Sequence, residues 1–155
     1  MHEMRRKDRR IPEEEALELL KRCEYAVLAT VDAKDGSPYC VPVSPVYSGG
    51  CLYFHCARRG QKNDNIQNDA RVCLTCVGAT KLLPEEFSTK YESVVVYGKA
   101  EFLTDKTEQI EALRKLCEKY ASSNMDAFDG ELAKSLGRTA VCRIQIEEIS
   151  GKAKR

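Results

Sequence analysis

Apolar, β-branched stretches recur at short intervals along this chain of 155 residues, with turn residues between most of them. That spacing limits the fold more than any single motif does. Six stretches read as strands: 25–31, 39–47, 51–57, 71–77, 93–102 and 139–149. Asp35-Gly36 marks a hairpin turn after the first, and Ser48-Gly49-Gly50 separates the second from the third. Only two segments carry a clear helical stripe. In one, Pro12 and Glu13 to Glu15 suit a first turn, and Ala16, Leu17, Leu19, Leu20 and Cys23 share a face. In the other, over 105–120, Ile110, Leu113, Leu116, Cys117 and Tyr120 do the same. A short polar helix is predicted over 61–68, a loop near 84–90, and irregular or weakly helical chain over 122–137. So many strands with so few helices between them point to an antiparallel barrel and not to a βαβ sheet.

The length fits a single domain, 1–155. Lys and Arg number 25 against 24 Asp and Glu, so a net charge of +1 gives no whole-chain reason to bind nucleic acid or an anionic membrane. No apolar run approaches the roughly 18 residues of a membrane span. The first seven residues include Arg5, Arg6 and Lys7, but no apolar segment follows them, so they do not read as a secretion signal and a cytoplasmic location is expected. Residues 1–10 read as a flexible basic arm or a solvated terminus.

Eight cysteines stand out in a chain expected to stay reduced. Only Cys73 and Cys76 have C-x-x-C spacing, and their strand-like surroundings put the two thiols on opposite faces. No second pair completes a four-ligand set, so no metal site is predicted. Packing is the favoured role, with a thiol-redox or metal protein as the competing one.

Two features invite a ligand. Pro42 and Pro45 each remove a ladder donor from what reads as one strand, which implies an edge, a bulge or a backbone turned toward a ligand. Further on, His55, Arg58, Arg59 and Lys62 fall within eight positions where a strand passes through Gly60 into a helix start. A helix N-terminus with basic side chains nearby suits a phosphate, although a charged surface turn has the same composition. Alternation places His55 with Tyr53 and Cys51, opposite Leu52, Phe54 and Cys56.

In order and spacing, several segments resemble the FMN-binding split-barrel group, which includes pyridoxamine 5′-phosphate oxidases and the nitroimidazole-resistance (Nim) proteins. They are Ala29-Thr30-Val31, Pro38 to Val43, Leu52 to Ala57, Asn63 to Val72, Tyr91 to Glu101 and Ile149 to Lys152. The resemblance implies a six-stranded antiparallel split β-barrel with flanking helices, forming a homodimer with two FMN sites at its interface. It implies that Val41, Pro42 and Val43 lie beside the isoalloxazine ring. Phe54 and His55 would line the ribityl and phosphate region, Gln61 and Lys62 would hold the phosphate, and Ser93 would come from the partner subunit. The Nim-like character rests on Tyr53-Phe54-His55, which makes His55 the candidate for a catalytic or substrate-contacting role.

The implied activity is transfer of electrons from reduced flavin to a small acceptor, a nitroaromatic among the candidates. NAD(P)H or a reductase would be the donor. The chain has no Trp and ends at Arg155 without the closing C-terminal arm of the longer oxidases, which argues against pyridoxamine phosphate oxidation. The alternative on the same barrel is a non-catalytic flavin carrier or sensor, or a haem-binding protein with His55 as ligand.

Overall fold

The computed structural model describes residues 3–155. In chain order the elements are β1 (Arg10–Ile11), α1 (Glu13–Arg22), β2 (Ala26–Val31), β3 (Pro38–Val43), β4 (Val46–Ser48), β5 (Cys51–Ala57) and α2 (Gln61–Asn68). They continue with β6 (Arg71–Leu83), β7 (Ser88–Phe102), α3 (Lys106–Tyr120), α4 (Phe128–Ser135) and β8 (Thr139–Lys154). The strands form one antiparallel sheet in the order β3-β2-β6-β7-β8-β5-β4, with β1 beside the end of β8. Each predicted strand is present, one of them divided in two. The architecture is mainly β with flanking helices, an open sheet rolled on itself as in a split barrel.

The rolling follows from one short connection. β3 and β4 stand at opposite ends of the strand order, yet only Ser44 and Pro45 join them. Three Cα steps span at most about 11 Å, so the two ends of the sheet must approach each other. The predicted single strand over 39–47 is therefore two strands that pair with different partners: β3 with β2, and β4 with β5. Pro45 is buried at the bend, and its carbonyl accepts from Lys119 Nζ at 2.7 Å and Tyr120 Oη at 2.6 Å. The end of α3 thus clamps the link.

Two cores result. Leu28, Leu52, Phe54, Leu74, Val94, Val96 and Ile144 fill the interior of the rolled sheet, with Ala16, Leu19 and Leu20 of α1 packed over them. Pro12 and the acids at 13–15 start α1 as expected, and Lys21 and Arg22 end it. A second cluster forms on the outer side of β5 and β8, where Leu113, Leu116 and Phe128 of α3 and α4 pack on Val141 and Leu103. Asp105 caps α3 by accepting from the Glu108 amide at 2.9 Å.

Several boundaries differ from the sequence reading, among them the end of β8, which runs on to Lys154 instead of stopping at 149. β6 and β7 run on past 77 and before 93 into a long ribbon, so the loop predicted near 84–90 shrinks to a tight turn. The ladder shifts register between Val77 and Thr80, and the ribbon beyond is exposed, so no apolar alternation marks it. Residues 122–137 contain 3-10 turns and the helix α4. The amino-terminal arm is tied down from Arg10, which pairs with Lys152 while Ile11 pairs with Gly151. A Cβ at Gly151 would lie 2.4 Å from Ile11 Cγ1, so β1 can pack here only on a glycine. Of the predicted arm, residues 1 and 2 lie outside the described residues.

The thiols divide by face. Cys76 is buried and Cys73 is half-buried on the opposite side of β6, so the C-x-x-C pair is split as alternation requires. The thiol beside Cys76 is Cys23: their hydrogen bond pulls Cys23 down and pushes Cys76 up. Cys40 departs from the packing expectation and lies exposed. No group of three His, Cys, Asp or Glu placed to hold a metal ion occurs among the described residues.

Candidate functional site

β5 carries the site into a turn. Along it, Phe54 is fully buried, His55 is exposed and Cys56 is half-buried. The strand ends at Ala57, and Arg58 and Arg59 lead to Gly60, whose φ of 151° favours a residue without a side chain. The Gly60 carbonyl accepts from the Asn63 and Asp64 amides at 2.9 and 3.2 Å. The preceding amides, those of Gln61 and Lys62, stand at the positive end of the α2 dipole, outside the helix's own bonds. Lys62 lies close enough to Cys56 for its charge to oppose the effect of burial, which pushes that thiol up.

Two buried asparagines fix this helix start. Asn63 Nδ2 donates to the Ala57 carbonyl at 3.0 Å, across the turn. Asn65 is 1% exposed; its Nδ2 donates to Thr30 Oγ1 at 3.0 Å and its Oδ1 accepts from the Ala33 amide at 2.9 Å. Gln61 Nε2 donates to Asp32 Oδ2 at 2.7 Å, and this bond holds the Asp32 carboxyl below its usual range. Through Asn65 and Gln61, α2 is bound to the turn between β2 and β3.

The sheet is left with a slit. β5 pairs with β4 only through Cys51, Leu52 and Tyr53; beyond them Phe54 to Ala57 pair only with β8 among the described residues. Among the described residues β3 pairs only with β2. Two strand edges therefore remain without ladder partners. They are joined at one end by Ser44-Pro45 and at the other by the contact of α2 with the β2–β3 turn. Such edges offer free backbone donors and acceptors.

The predicted residues fall on this slit with one exception. Val41, Pro42 and Val43 form its β3 lip, with Pro42 facing outward and Val43 buried. Phe54 and His55 stand on the β5 lip, but the Phe54 ring is committed to the core. Alternation turns that side chain inward, so Phe54 presents its backbone to the slit. Gln61 and Lys62 close the α2 end, with the Gln61 amide engaged by Asp32. Ser93 stands apart. Its register partner on β8 is Lys152, whereas that of His55 is Val141, eleven residues away and about 36 Å along the strand.

Beside the β3 lip lies an uncovered apolar surface. Val27, Ala29, Val31, Cys40, Pro42, Cys73, Val95 and Tyr97 alternate with the buried residues of β2, β3, β6 and β7, and all are exposed or half-exposed.

The sequence profile of the pyridoxamine 5′-phosphate oxidase family matches residues 12–153. The chain belongs to that family. Solved structures of similar shape include a candidate 5-nitroimidazole antibiotic resistance protein from Bacteroides thetaiotaomicron. It is 23% identical with a TM-score of 0.77, over 93% of this chain and 86% of that one. An FAD-binding protein from Mesorhizobium loti is 27% identical with a TM-score of 0.67, over 95% and 98%. An FAD and heme binding protein from Mycobacterium smegmatis is 19% identical with a TM-score of 0.77, over 93% and 72%. No curated protein matches the chain. In this member of the oxidase family no helix of the described residues is long and apolar enough to cross a membrane.

Sequence reasoning missed Thr30, Asp32, Asn63 and Asn65. One signal was available: two asparagines one residue apart are poor choices for the body of a helix unless their side chains hold something. Replacing Asn65 by Ala would leave the Thr30 hydroxyl and the Ala33 amide without their partner. We expect a loss of about 2–4 kcal/mol in urea unfolding, against no more than about 0.5 kcal/mol for Gln67→Ala on the exposed side of α2.

Proposed function

We propose that this chain is an FMN-dependent oxidoreductase of the nitroimidazole-reductase kind, active as a homodimer. The observation that supports it most is the slit: two unpaired strand edges that meet at a helix N-terminus carrying Lys62. A phosphate fits the Gln61 and Lys62 amides and the Lys62 ammonium. A flat ring with polar edges fits the backbone groups of Val41, Pro42 and Val43, and Pro42 has no donor to leave unpaired there. The backbone at Phe54 would follow the chain between ring and phosphate.

Bound flavin would supply transfer of one or two electrons to a small acceptor, a nitroaromatic being the first to try, with NAD(P)H or a reductase as donor. The protein's part is placement, exclusion of water and proton supply. His55, exposed on the β5 lip, is positioned to give a proton to an acceptor held against the slit, the role of a general acid. The uncovered face of β3, β2, β6 and β7 is apolar enough to pair with its own copy by two-fold symmetry. That pairing would cover the slit and bring the partner's Ser93 to it. A second reading, a flavin or haem carrier with His55 as ligand, has support from the M. smegmatis relative that binds FAD and heme. A Soret band in the purified protein would favour it.

Lys62→Ala should weaken FMN binding by about 10- to 100-fold, the range of a charge-assisted hydrogen bond; fluorescence titration reads this directly. With FMN bound, NAD(P)H should bleach the flavin and a nitroaromatic should restore its colour. His55→Ala should keep FMN affinity and fold while slowing reoxidation by about 100-fold or more, as for loss of a general acid. Equal rates would remove His55 from the proton step.

A further inference from the structure

All eight cysteines are free thiols, and one pair of them has a use that the flavin reading does not touch. Cys73 and Cys76 share a motif in sequence, but β6 puts them on opposite faces. The neighbour of Cys76 comes from α1 instead. Cys23 stands at the end of that helix, where its Sγ donates to the Leu20 carbonyl at 3.1 Å. Two contacts lay α1 along this stretch of sheet. A Cβ on Gly78, two residues past Cys76, would meet Leu19 Cδ1 at 2.5 Å, and Leu19 lies about one helical turn before Cys23. Arg22 and the Ala79 amide both donate to Glu92 Oε1 of β7, at 2.5 and 3.2 Å. The packing that sets Leu19 on Gly78 therefore sets Cys23 beside Cys76. Both thiols are enclosed, with Cys23 at 8% exposure and Cys76 at 2%.

The two sulfurs have different roles open to them. The hydrogen bond from Cys76, helped by the nearby Lys119 ammonium, draws Cys23 below the ordinary thiol value. The same bond, together with burial, keeps Cys76 protonated. A thiolate is the attacking form of cysteine, and a second thiol in contact with it is what resolves a first oxidation product. Lys119 is the half-buried residue whose Nζ also donates to the Pro45 carbonyl at 2.7 Å, so this thiol pair lies one side chain away from the link that rolls the sheet. Other cysteines are less well placed for each other. Cys40 and Cys73 both face outward but pair with opposite sides of Ala29, which puts them about 10 Å apart across two strand spacings. Bridged cysteines have Cα atoms no more than about 7 Å apart.

We infer that Cys23 and Cys76 are a redox modification site, a dithiol that hydrogen peroxide converts to a disulfide between the end of α1 and β6. The inference stands apart from the flavin reading. The Cys23 thiolate attacks one peroxide oxygen, the O–O bond breaks, and the departing hydroxide takes up a proton to leave as water. Cys23 is then a sulfenic acid. The Cys76 sulfur attacks the Cys23 sulfur and gives up its proton; the S–O bond breaks, and a second water leaves as the S–S bond forms. The two thiols lose two electrons, and one peroxide becomes two waters. Exchange with a small dithiol returns both thiols.

The test is peptide mapping of the full chain after hydrogen peroxide treatment and alkylation of the remaining thiols. Trypsin releases Cys23 in the peptide 23–34 and Cys76 in 72–81. These two peptides should appear joined in wild type and in Cys73→Ala alike, and dithiothreitol should separate them. Cys23 should be consumed about tenfold or more faster than Cys142, whose thiolate burial suppresses. Cys76→Ala should form no link and should leave a sulfenic acid on Cys23 that dimedone traps. Peptides that stay unlinked while the exposed Cys40 is oxidised would overturn the site. So would a link that Cys73→Ala abolishes, or a Cys23 that reacts no faster than Cys142. If Cys76→Ala does not fold, the wild-type and Cys73→Ala maps still decide.

Discussion

The whole arrangement depends on two residues that join strands from opposite ends of a sheet. Ser44 and Pro45 are too short to let β3 and β4 stand apart, so the sheet rolls until its ends meet. The ends do not zip together, because β3 pairs with β2 and β4 claims only the first three residues of β5. A slit with two unpaired edges is the consequence. Lys119 and Tyr120 fasten one end of it through the Pro45 carbonyl, and Asn65 and Gln61 fasten the other through the β2–β3 turn. An opening pinned at both ends can hold a ligand without reorganising, which is what a redox cofactor needs from its protein.

Much of the fold was legible because burial follows period. The stripe of α1 and the alternation of β5 and β6 predicted which residues face the core, and the separation of Cys73 from Cys76 followed from that period alone. Where both faces of a strand are wet, the pattern disappears. Thr80 to Leu83 and Ser88 to Tyr91 are strands by backbone pairing, with no apolar rhythm to announce them. The bend at Pro45 was visible as a difficulty in the sequence, but its meaning lay in non-local pairing: two halves of an apparent strand belong to different neighbours.

The site shows the same division. The run from His55 to Lys62 marked itself by charge, glycine and its place between strand and helix, and the family resemblance supplied the β3 residues. Periodicity also disclosed that Phe54 and His55 point opposite ways, so only one of the two side chains reaches the site. What sequence could not display were the bonds that hold the helix start in place, since Thr30 and Asn65 are thirty-five positions apart and meet only after the sheet has rolled. The apolar face beside the slit was likewise hidden. Its residues come from four strands, and each looked like an ordinary core residue.

Membership of the pyridoxamine 5′-phosphate oxidase family and a slit of this form lead to one central claim, that flavin binds along β3 and β5 with its phosphate at α2. The most direct measurement is the visible absorption of the purified protein as FMN is added. A yellow protein, or a flavin spectrum that shifts on mixing and saturates at one flavin per chain, is the result expected. A colourless protein that leaves the spectrum of added FMN unchanged would contradict the claim.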